Sequence, residues 1–95
     1  MIRHIVPFRL KHPAGSPEEA DFIATVLKLG AIPDVEQLEV LKQIGTKNSF
    51  THAVSMEFAS MAVYQAYNAH PFHVAFVEGR WIPEVVEFAE IDLEV

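Results

Sequence analysis

The sequence predicts an α+β fold with elements in the order β-α-β-β-α-β. Three observations predict it. Apolar side chains alternate with a period of two through residues 2–10 and 50–58, as in half-buried strands. A wide apolar stripe follows a capping sequence at Ser16, as in a helix lying on a sheet. Turn-forming stretches at 11–15, 31–34 and 45–49 separate the periodic segments.

In residues 2–10, His4, Val6, Phe8 and Leu10 share one face, and Arg3, Ile5, Pro7 and Arg9 share the other. His4 therefore sits among apolar side chains. Pro7 has no N–H to give to a ladder, which predicts an edge or a bulge there. Ser16 caps the first helix, Pro17 suits its first position and Glu19 completes a capping box. Ala20, Phe22, Ile23, Ala24, Val26, Leu27 and Leu29 form its apolar stripe, and Gly30 ends it. Residues 35–44 read as a strand with Leu38, Val40 and Ile44 on one face and Val35 and Leu41 on the other. It forms a hairpin with 50–58, where Phe50, His52, Val54, Met56 and Phe58 point one way. Ser60 caps a helix over 61–69, which carries Val63, Tyr67 and His70 along one face. Pro71 breaks that helix and starts a second piece, ended by Gly79, in which Phe72 pairs with Phe76 and His73 with Val77. The last strand spans 84–95. Val86 and Phe88 take one parity, but Ala89, Ile91, Leu93 and Val95 take the other. That switch predicts a bulge, or a strand that passes from one environment to another.

This order is that of the ferredoxin-like split βαβ unit, with both helices on one face of a four-stranded antiparallel sheet. Ile5, Leu41 and Ala53 make the other face too apolar for solvent. Residues 1–95 are read as one domain, which is short for a stable core on its own, although 51 % of its residues are hydrophobic. The expectation is a homodimer through sheet-to-sheet packing that makes a dimeric α/β barrel, with a pocket between each sheet and its helices. The net charge of −6 argues against nucleic acid and acidic membranes. The opening residues lack the layout of a signal peptide, and no apolar run reaches the ~20 residues that span a bilayer, so a cytoplasmic protein is expected.

The chemistry-bearing stretch is 66–74. Tyr67, His70 and His73 recur every three residues around Pro71, so a phenol and two imidazoles gather at a kink. Two readings stand. In one, an imidazole takes a proton alpha to a carbonyl while the tyrosine hydroxyl stabilises the enolate. In the other, Tyr67 caps the core with its hydroxyl at the rim, and His70 and His73 bond backbone carbonyls freed by the proline. His4 and His52 are expected as hydrogen-bonded core residues. His70-x-x-His73 is too little for a metal site, and neither metal nor cofactor is expected. Trp81 reads as a packing or dimer-contact residue. The acidic residues Glu84, Glu87, Glu90, Asp92 and Glu94 read as a solvated face, the alternative for Asp92 being a pair with a basic residue such as Arg3 or Arg9.

His4-Ile5-Val6, Ile32-Pro33-Asp34-Val35, His52 followed by Glu57-Phe58-Ala59-Ser60, the stretch 66–74 and Asp92 stand in an order that resembles the stress-responsive A/B barrel (Dabb) family over the whole chain. The resemblance implies small cytoplasmic homodimers, some of them stress proteins. One plant member closes a linear polyketide by aldol condensation without a cofactor. Its catalytic tyrosine and histidine correspond to Tyr67 and His73, and histidines lining its pocket to His4 and His70. Pro7 and the face of the first helix depart from that member, and its later aromatic wall has no close match here. The resemblance also suggests magnesium on backbone carbonyls around Gly30 to Val35, which the sequence does not test. The expected function is binding of a small apolar carbonyl compound, with enolisation or aldol chemistry by Tyr67 and His73 and with His4 and His70 against the substrate. The alternative is a stress-protective dimer without a substrate.

Overall fold

The alternation of the first stretch is realised in β1 (Ile2–Leu10), which buries His4, Val6, Phe8 and Leu10 and forms the centre of the sheet. The structure, a computed structural model, describes all 95 residues. On one side β1 pairs antiparallel with β3 (His52–Phe58), from Ile2 opposite Phe58 to Phe8 opposite His52. On the other side it pairs with β4 (Val85–Phe88) and then β5 (Ile91–Glu94). β2 (Glu36–Lys42) flanks β3, so the sheet runs β2-β3-β1 with β4 and β5 end to end along the far edge. The fold is α+β and ferredoxin-like, with an antiparallel sheet.

The expected barrel is corrected by this topology. β2 and the β4/β5 edge lie on opposite sides and do not pair, so the sheet is open. A closed barrel filled by its own side chains takes about eight strands, and this sheet is far narrower. It also has five strands instead of four, because the last strand is split. The split falls at Ala89–Glu90, directly opposite Pro7. Residues pointing the same way along an antiparallel strand offer N–H and C=O to the same neighbour. Pro7 gives only its C=O, which accepts the Ala89 N–H at 3.1 Å. Pro7 is thus held in a central strand, and its partner strand breaks instead. The parity change has two further sources. Val86 is an extra residue between the Leu10–Val85 and Arg9–Glu87 pairs, and β5 turns Ile91 and Leu93 to the outer face while Asp92 lies opposite His4.

α1 (Pro17–Leu27) begins as its capping residues dictate. Ser16 Oγ accepts the Glu19 N–H and Glu19 Oε1 accepts the Gly15 N–H, both at 3.2 Å. Its end is tighter than expected, since residues Lys28–Ala31 form a 3-10 turn that contains Gly30. α2 (Met61–Ala69) is capped by Ser60, whose Oγ accepts the Val63 N–H at 3.3 Å. After His70 comes α3 (Pro71–Phe76), and the chain does not stop at Gly79. It continues through a π-helical turn, Val77–Trp81, into a short α4 (Ile82–Glu84).

α4 is tied down by charge, so Glu84 is not part of a solvated face as the sequence suggested. Arg80 reaches Glu84 at 2.5 Å, Asp21 at 2.8 Å and Thr25 at 3.1 Å, while His12 meets Glu84 at 2.7 Å. The hydrogen bond from Arg80 holds the Glu84 carboxyl below its usual range. Arg3 pairs with Glu57 and Arg9 with Glu87, so neither takes Asp92 as the sequence suggested. Phe8, Phe22 and Phe58 are fully buried between the sheet and the helices. No helix is long and apolar enough to cross a membrane.

Candidate functional site

The helices do not seal against the sheet along its whole length. A cavity of about 460 Å3 lies between them, floored by Val6, Val54 and Met56 and walled by Phe76 and Trp81. His4, Tyr67, His73 and Glu90 supply its polar lining. The kink makes this possible. His70 is extended, with φ −63° and ψ 133°, because the residue before a proline is driven out of the α region. The chain restarts at Pro71 in a new direction and brings the His73 ring to 4.4 Å from that of Tyr67, centre to centre.

His73 Nδ1 lies 3.1 Å from the Asn68 carbonyl oxygen. A carbonyl can only accept, so Nδ1 carries the proton of the neutral ring and Nε2 keeps a lone pair. Burial lowers the pKa of His73, against smaller raising effects from the Asn68 bond and Glu90, which keeps the ring neutral near neutral pH. Tyr67 is nearly buried, and burial, then Tyr64, push its phenol well above the usual range, so it stays protonated. No side chain around it accepts its hydroxyl proton. Tyr67 and His73 thus line the cavity side by side.

His70 is placed elsewhere. Its Nδ1 accepts the Phe72 N–H at 3.1 Å and caps α3, instead of bonding a freed carbonyl, and it is not part of the cavity lining. His4, 5 % exposed, lines the cavity from β1. Its Nδ1 is 2.5 Å from Asp92 Oδ1 and 3.0 Å from the Tyr64 hydroxyl, which is itself 3.1 Å from Asp92 Oδ2. Tyr64 was not singled out in the sequence. The signal was there, three residues before Tyr67 and hence on the same helix face. Phe58 backs both tyrosines, stacked on Tyr64 and tilted against Tyr67, each with ring centres 5.0 Å apart. His52 stacks on Phe8 and bonds Thr51 Oγ1 at 2.9 Å, away from this cavity.

Residues 2–95 match the family described as Stress Responsive A/B Barrel Domain. The chain belongs to the Dabb family. It is 28 % identical over 79 residues to olivetolic acid cyclase of Cannabis sativa, covering 79 % of this chain and 78 % of that one. Among solved structures it resembles a Dabb family protein with a ferredoxin-like fold from Mesorhizobium loti, at 49 % identity and a TM-score of 0.97 over 99 % of this chain and 95 % of the other. A dimeric ferredoxin-like protein from Thermobifida fusca is 24 % identical, with a TM-score of 0.80 over 99 % and 90 % of the two chains. The hydroxynitrile lyase of Passiflora edulis shares the fold at 22 % identity, with a TM-score of 0.87 over 99 % and 92 %. Proteins of this fold therefore include enzymes, and the likeness to the cyclase is partial.

The resemblance set a magnesium ion against backbone carbonyls at 30–35. In the turn at 30–35 the Ile32 carbonyl already accepts the Val35 N–H, and Asp34 is the only carboxylate. No group of three or more His, Asp or Glu side chains that could hold a metal forms in the chain.

The imidazoles of His52, buried, and His73, half-buried, set a pH dependence. Burial lowers the pKa of both His52 and His73 from the ordinary 6.5. Below that value the unfolded chain binds protons that the folded chain refuses. Stability is therefore complete above about pH 6.5 and falls as the pH drops through the folded values. Thermal unfolding should show Tm declining between about pH 7 and pH 5, with a shallower decline in His73→Gln. A Tm that is flat or rising over that range would contradict the buried neutral rings.

Proposed function

We propose that this Dabb chain binds a small apolar ketone in the cavity and enolises it. His73 Nε2 takes the proton alpha to the carbonyl, and the Tyr67 hydroxyl donates to the developing enolate oxygen. The observation that supports this most is the pairing of a phenol O–H that has no partner with an imidazole whose tautomer leaves Nε2 bare, both on one largely apolar cavity. Opposed pKa shifts suit the two roles, since burial keeps the base neutral and the donor protonated. The volume lies in the range of small-molecule sites. An enolate held this way can attack a second carbonyl, which is the step an aldol cyclase performs. His70 caps α3, as a structural motif would, while the Tyr67 hydroxyl has no partner within the chain and is free for a ligand.

Benzylacetone, an apolar ketone with exchangeable alpha protons, tests the reading. Trp81 is the only tryptophan and lines the cavity, so its emission reports occupancy. Titration should give a saturable change, and deuterium should enter the alpha position faster than in buffer. His73→Ala should remove the exchange and keep the binding. No saturable change in Trp81 emission, with exchange at the buffer rate, would sink the proposal.

We also propose that the chain pairs as a homodimer through the outer sheet face. Ile5 lies opposite Ile91 there, with Leu41, Ala53 and Leu93 nearby and the Arg3–Glu57 and Arg9–Glu87 pairs on the same face. Ile91 and Leu93 are 41 % and 48 % exposed in the single chain, and their burial supplies the driving force. Sedimentation should show a dimer at micromolar concentration. Ile91→Lys should weaken it by about tenfold or more, because a charge would be buried without a partner. A wild-type monomer at that concentration would exclude this interface.

A further inference from the structure

The polar end of the cavity holds a group that enolisation by Tyr67 and His73 leaves unused. His4 is almost wholly buried, yet its ring is held by two residues from two other elements. Asp92, its cross-strand partner on β5, reaches Nδ1 at 2.5 Å, and Tyr64 on α2 stands 3.0 Å from the same nitrogen. An ionised carboxylate only accepts, so the proton of the neutral ring lies on Nδ1. With Nδ1–H given to Asp92, the Tyr64 hydroxyl donates to the other carboxylate oxygen at 3.1 Å. The Tyr64 phenol is pushed up to about 12, by burial first and by Asp92 second, so it keeps that proton. Nε2 is then the one polar atom of the ring without a partner in the chain, and His4 lines the cavity.

We propose that Asp92 and Tyr64 are positioning residues for His4: they hold its ring with Nδ1 protonated, so that Nε2 meets the cavity as a bare acceptor and favours ketones that also carry a hydroxyl. The proposal rests on the reading of the cavity as a ketone site. It adds a third polar contact to that site. Tyr67 donates to the carbonyl, His73 faces the carbon acid and His4 accepts from the ligand hydroxyl. A site built to accept a hydroxyl proton discriminates strongly against the analogue that lacks it, because its buried acceptor would be left unpaired. β5 gains a purpose in this arrangement. The interruption opposite Pro7 ends β4, and β5 resumes in the register that sets Asp92 against His4.

The test has two arms on the full chain. Long-range proton–nitrogen NMR of the histidine rings should show neutral His4 protonated at Nδ1. In Asp92→Asn and in Tyr64→Phe the His4 ring signals should shift while those of His73 stay in place, which a general loss of structure would not produce. Both substitutions preserve side-chain shape, so both variants should fold. In the second arm, phenacyl alcohol should bind more tightly than acetophenone by about tenfold, read on Trp81 emission, and Asp92→Asn should lower that ratio toward one. A wild-type His4 protonated at Nε2, or His4 signals unchanged in both variants, would overturn the proposal. So would equal binding of the two ketones. If neither ketone binds, the cavity reading fails and the hydroxyl preference with it, while the ring spectra still decide the positioning.

Discussion

Phe58→Ala should cost about 3–5 kcal/mol of folding stability, the range for deleting a buried aromatic ring from a core that relaxes only in part. Phe58 is fully buried at the end of β3, and its ring meets three others, those of Tyr64 and Tyr67 at 5.0 Å and that of His4 at 6.4 Å. Removing it takes the backing from both tyrosines at once. A domain of this size holds only about 5–15 kcal/mol in total, so one such loss consumes a large part of the margin. Urea denaturation checks it, through a lower midpoint with an unchanged slope. Phe22→Ala offers the contrast. That ring is equally buried but packs on Phe8, Phe76 and Trp81, so it should cost a similar amount while leaving the His4 ring spectrum alone. A loss below about 1.5 kcal/mol for Phe58→Ala would mean that the tyrosines close over the gap.

Tyr67→Phe should have the opposite profile. It removes one oxygen that has no hydrogen-bond partner in the chain and leaves the ring on Phe58 and His73 in place. Stability should change by no more than about 0.5 kcal/mol, because the hydroxyl removed makes no hydrogen bond within the chain. The ketone exchange rate should fall by about a hundredfold to a thousandfold, the usual cost of losing one donor to an oxyanion. Ketone exchange and urea denaturation on the same sample separate the two effects. A large loss of stability with unchanged exchange would reverse the assignment and make the hydroxyl a structural group. His73→Ala would not separate them as cleanly, because it also frees the Asn68 carbonyl at the kink.

The element order and the kink were legible because they depend on local rules. Ser16, Pro17 and Glu19 specify a helix start whatever surrounds them, as Ser60 does for α2. Pro71 specifies the break, and the three-residue recurrence around it placed Tyr67 and His73 together. The same spacing suggested His70 as a third partner. That failed because a cap needs an acceptor just where His70 stands, and Phe72 supplies the N–H. Gly79 read as a stop, yet Arg80 carries the helical turn onward by bonding Asp21 and Thr25 on α1, a contact between residues more than fifty apart in sequence. Asp92 was expected on a solvated face, or else against an arginine, because acidic residues cluster in that stretch. Its strand register decided for His4 instead.

By itself the sequence determined the strands, the capped helices, the broken second helix and the residue types able to move a proton at neutral pH. Each of these is a matter of neighbours a few positions apart, where periodicity, capping and the missing N–H of proline act directly. Only the tertiary structure decided that the sheet stays open, that β5 faces Asp92 to His4 with Tyr64 behind it, and that a space remains beneath the kink. Those outcomes depend on register between distant strands and on how far helices can close over a sheet, and both are set by packing across the whole core.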